Sequence, residues 1–122
     1  MPQEKKTLVF GASLKPGRYS NLAINRLAAN GIQTVGFGLR QGEVAGVQVK
    51  TRLEGLSGFH TITLYMNPIR QRTFYDELVS LAPERIIFNP GTENPELYDL
   101  LRQAGIEVQV ACTLVLLATG QY

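Results

Sequence analysis

The sequence predicts an α/β fold of three layers: a parallel five-stranded sheet of order 3-2-1-4-5 with helices on both faces. Two observations predict it. Short apolar runs that end at small or turn residues alternate with stretches of helical period, which is the pattern of β–α–β units in a parallel sheet. Right-handed crossovers with a reversal after the third strand then give the order. The length of 122 residues fits one domain spanning residues 1–122.

The first strand is Thr7-Leu8-Val9-Phe10-Gly11-Ala12, an apolar run stopping at small residues as a buried parallel strand does. After the loop 13–19, Ser20-Asn21 is a cap signal for a helix with Leu22, Ala23, Leu27 and Ala28 at helical spacing. Asn30-Gly31 ends it, because both residues tolerate the left-handed conformation of a helix stop. Residues 32–37 read as strand two. The stretch 39–59 is the least regular. Within it 43–50 alternates weakly through Val44, Val47 and Val49, as a sheet-edge segment or a loop, and 53–56 forms one helical turn. Residues 61–66 are strand three. Asn67-Pro68 opens a helix running from about Arg70, with Phe74, Leu78, Val79 and Leu81 on its buried face and Pro83 as its stop. Residues 85–89 are strand four, and the helix Pro95 to Ala104 is closed by Gly105. Residues 106–112 are strand five, before a tail of undetermined form.

At 44% apolar and 18% charged residues the chain can build one layered core under an ordinary polar surface. Its net charge of +2 suits a local phosphate patch and lies far from that of a nucleic-acid-binding arm. One cysteine excludes an internal disulfide and a multi-cysteine zinc site. MPQEKKTLVF lacks the apolar core and cleavage site of a signal peptide, and no apolar run approaches the roughly 20 residues that span a bilayer. A cytoplasmic location is the expectation.

In open α/β sheets ligands bind beyond the carboxyl ends of the strands, where the strand order reverses. The segment from Gly11 to Asn21 comes first. Gly11 and Ala12 allow a sharp turn and a close backbone approach, and the helix start offers free N–H groups. Ser13, Lys15, Arg18 and Ser20 add donors suited to phosphate oxygens. A phosphate loop and a plain strand–helix connection fit it equally; the second glycine of a dinucleotide fingerprint is missing. After strand two stand Gly38, Leu39 and Arg40, where an NAD site would place an acid. Arg40 suits an extra ribose phosphate, and equally a solvated loop charge. Tyr65, Met66 and Asn67 read first as core and helix cap, and second as an apolar wall for an adenine or pantetheine arm. Pro90, Gly91 and Thr92 form a turn with exposed polar groups, a weak signal by itself.

No catalytic constellation is visible. His60 precedes strand three and so lies at the amino edge of the sheet, away from the ligand side. Cys112 ends strand five, and with no basic residue adjoining it in sequence it reads as a structural thiol. Metal-ligand spacing is absent.

Together these segments resemble the small CoA-binding domain family, the Rossmann-like domain also found at the amino end of the succinyl-CoA synthetase α subunit. The strongest match is G-A-S-x-x-P-x-R-x-S, here Gly11 to Ser20. Looser matches are Glu43-Val44-Ala45-Gly46, the turn Asn89 to Asn94, Ala104-Gly105-Ile106, and Cys112. The resemblance covers Thr7 to Thr113. It implies a CoA ligand across the carboxyl ends of the first four strands. Gly11, Ala12, Ser13, Lys15 and Arg18 would then meet phosphate or ribose, with Gly38 and Arg40 at the adenosine end. Tyr65, Met66 and Asn67 would line the wall, and Pro90, Gly91 and Thr92 the far side. The chain departs from the family's pattern in three places: Gly38-Leu39 stands for Asn-Pro, Phe88 lies in the region of a tryptophan, and Val110-Ala111 stands for Asp-Arg. Full synthetases also use a phosphorylated histidine, which His60 is misplaced to supply.

The expectation is a protein that binds coenzyme A or an acyl-CoA without catalytic machinery, with no nucleic-acid or membrane partner. Its state as monomer or homo-oligomer is left open. Two alternatives stand beside it: a minimal NAD(P)-dependent reductase, and a structural or interaction subunit with a vestigial nucleotide pocket.

Overall fold

The computed structural model describes residues 4–122; residues 1–3, at the start of the stretch without a signal-peptide pattern, lie outside the described residues. The strands are β1 (Thr7–Ala12), β2 (Thr34–Gly38), β3 (Gly42–Val44), β4 (Val47–Lys50), β5 (Thr61–Leu64), β6 (Arg85–Phe88) and β7 (Glu107–Val110). The helices are α1 (Tyr19–Ala29), α2 (Pro68–Gln71), α3 (Tyr75–Leu81), α4 (Pro95–Gln103) and α5 (Thr113–Ala118), with a 3-10 turn Arg72–Phe74 between α2 and α3.

One sheet holds all seven strands in the order β3-β4-β2-β1-β5-β6-β7. Every pairing is parallel except that of β3 with β4. The α/β layering is therefore as expected, but the strand count and the identity of the third strand are corrected. The run expected as strand three is β5. It lies against β1 on the side away from β2. The place outside β2 belongs to β4, from the segment whose alternation was weak. Val47 and Val49 point into the core and Gln48 and Lys50 out of it, so four residues suffice for a half-buried strand. Ala45 and Gly46, at φ 51° and 80°, turn the chain from β3 into β4, as a tight hairpin requires. Counting the parallel strands alone, the order is 3-2-1-4-5-6.

Two apolar layers sandwich the sheet. On one face Val9, Val47 and Val49 pack with Ile24 and Leu27 of α1 and with Leu117 of α5. On the other, Leu8, Phe10, Ile62, Leu64, Ile86 and Phe88 pack with Leu78 of α3 and with Leu97 and Leu101 of α4. Burying each such side chain contributes on the order of 1.5–3 kcal/mol. Phe10, Phe37 and Phe74 stack with centroids 4.8–5.5 Å apart.

Helix ends explain the remaining differences. The expected helix from Arg70 is broken: Asn67 Oδ1 accepts from the Arg70 N–H at 3.0 Å, Pro68 opens α2, and the 3-10 turn separates it from α3. Ala82, at φ 46°, stops α3 one residue before Pro83. Asn94 caps α4, with Pro95 in its first turn. Strand five shortens to β7, and the tail of undetermined form is α5, preceded by Cys112 at its N-cap.

Candidate functional site

The strand order reverses at β1. Helix α1 leaves β1 toward one face of the sheet, and α2 with α3 leaves neighbouring β5 toward the other, so a crevice opens at their carboxyl ends. The tight geometry there is set by glycine. Gly11 has φ 98°, and a Cβ on it would come 3.0 Å from the Tyr65 carbonyl carbon. A Cβ on Gly38 would come 2.1 Å from the Ala12 carbonyl oxygen. Gly38 is thus explained by the contact of β2 with β1, where the register shifts between Phe10 and Ala12.

The start of α1 differs from the cap expected of Ser20 and Asn21. The helix begins at Tyr19, and its N-cap, Arg18, makes no side-chain cap hydrogen bond. Asn21 is buried and spends its side-chain N–H₂ on the Ser13 carbonyl at 3.0 Å; Ser20 is buried too. The N–H groups of Tyr19, Ser20 and Asn21 accordingly have no acceptor among the described residues. Three unpaired amides at the positive end of an 11-residue helix suit an anion. Lys15 and Arg18 stand exposed on the same loop, and Ser13 Oγ accepts from the Lys15 N–H at 3.1 Å.

Around the crevice the other predicted residues divide. Arg40, Asn67, Pro90 and Gly91 are exposed on the loops after β2, β5 and β6. Met66 is 2% exposed and belongs to the core. Thr92 is 4% exposed and donates its hydroxyl to the Asn89 carbonyl at 2.8 Å. These two form the floor of the loops rather than their surface. Tyr65 is half-buried, and its hydroxyl lies beside Thr63 and Thr113 without a hydrogen bond. Burial pushes its pKa up to about 12, so it is a neutral phenol at physiological pH.

Two buried amides that sequence reasoning missed hold these loops in place. Gln71 donates to the Met66 carbonyl at 2.7 Å and to the Thr92 carbonyl at 2.8 Å, and its own oxygen accepts from Asn94. It ties the loop after β5 to the loop after β6. Asn89 donates to Thr63 Oγ1 and to the Leu64 carbonyl, and its oxygen accepts from the Thr113 N–H at 2.9 Å. Asn89 was detectable as a polar residue ending the apolar strand RIIF. Gln71, flanked by Arg70 and Arg72, reads in sequence as a surface residue.

Charge is distributed unevenly. Lys15, Arg18, Arg40, Lys50, Arg52, Arg70 and Arg72 are exposed on or beside the carboxyl-end loops, against Glu93 and Glu96. The remainder of the chain carries five basic and eight acidic residues. His60 sits at the opposite end of the sheet, with Nε2 2.9 Å from Glu84 Oε2, a contact that is an ion pair only when the imidazole is protonated. Cys112 is half-buried between β7 and α5. Among the described residues no three His, Cys, Asp or Glu side chains group to hold a metal, and no helix is long and apolar enough to cross a membrane.

The fold has solved relatives. The crystal structure of an uncharacterised protein shares 42% identity, with 99% of this chain and 100% of that chain covered at a TM-score of 0.94. The cell-free ID.343 protein of Thermus thermophilus shares 22% identity, covering 98% and 91% of the two chains at 0.84. A hypothetical protein of Pyrococcus horikoshii OT3 shares 22%, covering 93% and 81% at 0.78. The last two speak for the fold alone. No curated protein matches the chain. A family model described as a CoA binding domain matches residues 5–118. The chain, with its Rossmann-like sheet and its uncapped helix start behind Gly11, belongs to the CoA-binding domain family.

Proposed function

We propose that the protein is a cytoplasmic binding module for coenzyme A or its thioesters and catalyses no reaction itself. One observation carries this reading: the unpaired amides of Tyr19, Ser20 and Asn21 face a loop bearing exposed Lys15 and Arg18, within a predominantly basic carboxyl end. A diphosphate would take the amides and the two cations, satisfying donors that the fold leaves open. Arg40 would meet the phosphate on the ribose. Tyr65, Asn67, Pro90 and Gly91 would border the pantetheine arm, with Met66 and Thr92 shaping the floor beneath them. Acid–base catalysis gains no support from the crevice: the Tyr65 hydroxyl is buried beside Thr63 and Thr113, and the histidine is at the other end of the sheet. An NAD-dependent reductase is the weaker reading, because Gly38-Leu39-Arg40 supplies no acid for the adenosine ribose.

Arg18→Ala tests the assignment. Charge-assisted hydrogen bonds contribute about 1.5–3 kcal/mol, so calorimetry should show CoA affinity falling roughly tenfold to a hundredfold. Arg18 is exposed, so the melting temperature of the free protein should hold. Unchanged affinity in a folded variant would make Arg18 a solvated charge and remove the loop from the site.

A further inference from the structure

The two edges of the sheet are built differently. At one edge β3 is three residues long and folds back through Ala45 and Gly46 into β4, and so short an edge offers little to pair with. At the other, β7 has no described strand beyond it. Its register with β6 runs unbroken from Arg85–Glu107 to Phe88–Val110. The stretch 107–112, EVQVAC, holds neither Lys nor Pro, the residues that commonly blunt an edge. The Glu107 N–H donates to the Glu84 carbonyl and the Ala111 N–H to the Phe88 carbonyl. Alternate residues of a parallel strand bond the same neighbour. Gln109 therefore also bonds toward β6, and the backbone N–H and C=O of Val108 and Val110 face away from the sheet.

Val110 is 56% exposed and pairs with Phe88, whose ring meets that of Tyr98 in α4 with centroids 4.7 Å apart. Val108, two positions earlier, lies on the same face, and the Arg102 guanidinium stands over the Tyr98 ring at 5.7 Å. Aromatic rings and arginine beside uncharged apolar residues are the composition of an interface core.

We propose that β7 pairs antiparallel with β7 of a second copy of the chain about a two-fold axis, joining two sheets into one. The outward backbone groups fix the register: Val108 exchanges hydrogen bonds with Val110 of the second copy, and Gln109 meets its own equivalent at the axis. Glu107, the one charge in the stretch, falls opposite Ala111, so no like charges meet across the pair. Helix α4 has Glu96 in its first turn and Arg102 in its last, so the antiparallel arrangement brings opposite charges toward each other. The crevice opens at β1 and β5, so the pairing leaves it free and does not depend on the CoA reading.

The test is sedimentation equilibrium of the intact chain over a concentration series, which should resolve a dimer. Val110→Pro removes an outward N–H from each copy and no bond to β6, a change that an edge strand tolerates. It should raise the dimer dissociation constant at least about tenfold and leave the circular dichroism of the fold unchanged. Val110→Lys keeps the backbone but sets a charge opposite Val108 of the second copy. It should weaken the dimer as well, and it decides the matter if the proline variant fails to fold. Hydrogen exchange should protect the Val108 and Val110 amides in the dimer relative to the dilute monomer. A monomer at every concentration, a dimer that the folded variants retain, or a dimer with those two amides unprotected would each overturn the pairing.

Discussion

Gly38 is the last residue of β2. It lies at the mouth of the crevice, yet the contact that requires glycine is with the Ala12 carbonyl of the neighbouring strand. Gly38→Ala should destabilise the domain by about 1–3 kcal/mol, the usual effect of overpacking, because the obstacle is backbone and cannot rotate away. Chemical denaturation reads this directly; a loss below about 0.5 kcal/mol would mean that β1 and β2 part easily. His60 is the residue whose protonation the fold opposes. Burial lowers its pKa below 6.5, outweighing the raising effect of Glu84, and Arg85 adds to the lowering. The unfolded chain therefore binds more protons just below pH 6.5, and stability should fall as pH drops through that window. His60→Asn should flatten this part of the stability profile, and a profile that is already flat in the unaltered protein would contradict the burial argument.

At the scale of elements, the helix ends set the local stability. Ala82 stops α3 in the left-handed region at φ 46°, where a Cβ costs roughly 1 kcal/mol. Ala82→Gly should raise stability by about 0.5–1 kcal/mol in the same denaturation assay, and any loss would show that the Ala82 methyl contributes packing that outweighs the strain. The elements legible in the sequence were those with strong runs. Thr7 to Phe10, Thr61 to Leu64 and Arg85 to Phe88 are buried throughout, and apart from Thr7, Thr61, Thr63 and Arg85 they are apolar. Strand β4 was not legible as a full member of the sheet, since its alternate residues are exposed and it holds only four positions. Without β4 as a strand, β5 takes the place outside β2 and 43–50 reads as an edge or loop, while 53–56, expected as one helical turn, is a single turn closed by the Leu56 N–H on the Leu53 carbonyl. Helix α5 escaped because six residues carry too little periodicity to register. Of the site, the loops were legible from small residues and cations after apolar runs. The Gln71 and Asn89 braces were not, because their bonds join segments 21 to 26 residues apart in sequence.

The whole molecule separates its charge: seven exposed basic residues gather at the end where the strands stop, while the rest of the chain is more acidic than basic. Such a distribution concentrates anions at the crevice and weakens with ionic strength. It does not by itself distinguish one nucleotide from another. At the end of β2 stands Arg40, where an NAD site places an acid. Thermal unfolding with CoA, NAD or NADP at equal millimolar concentration tests this most directly. A ligand present at about 100 times its dissociation constant stabilises by roughly 2.7 kcal/mol, a shift of several degrees for a domain of this size. The account predicts that CoA raises the melting temperature most; no shift with CoA alongside a clear shift with NAD would contradict it.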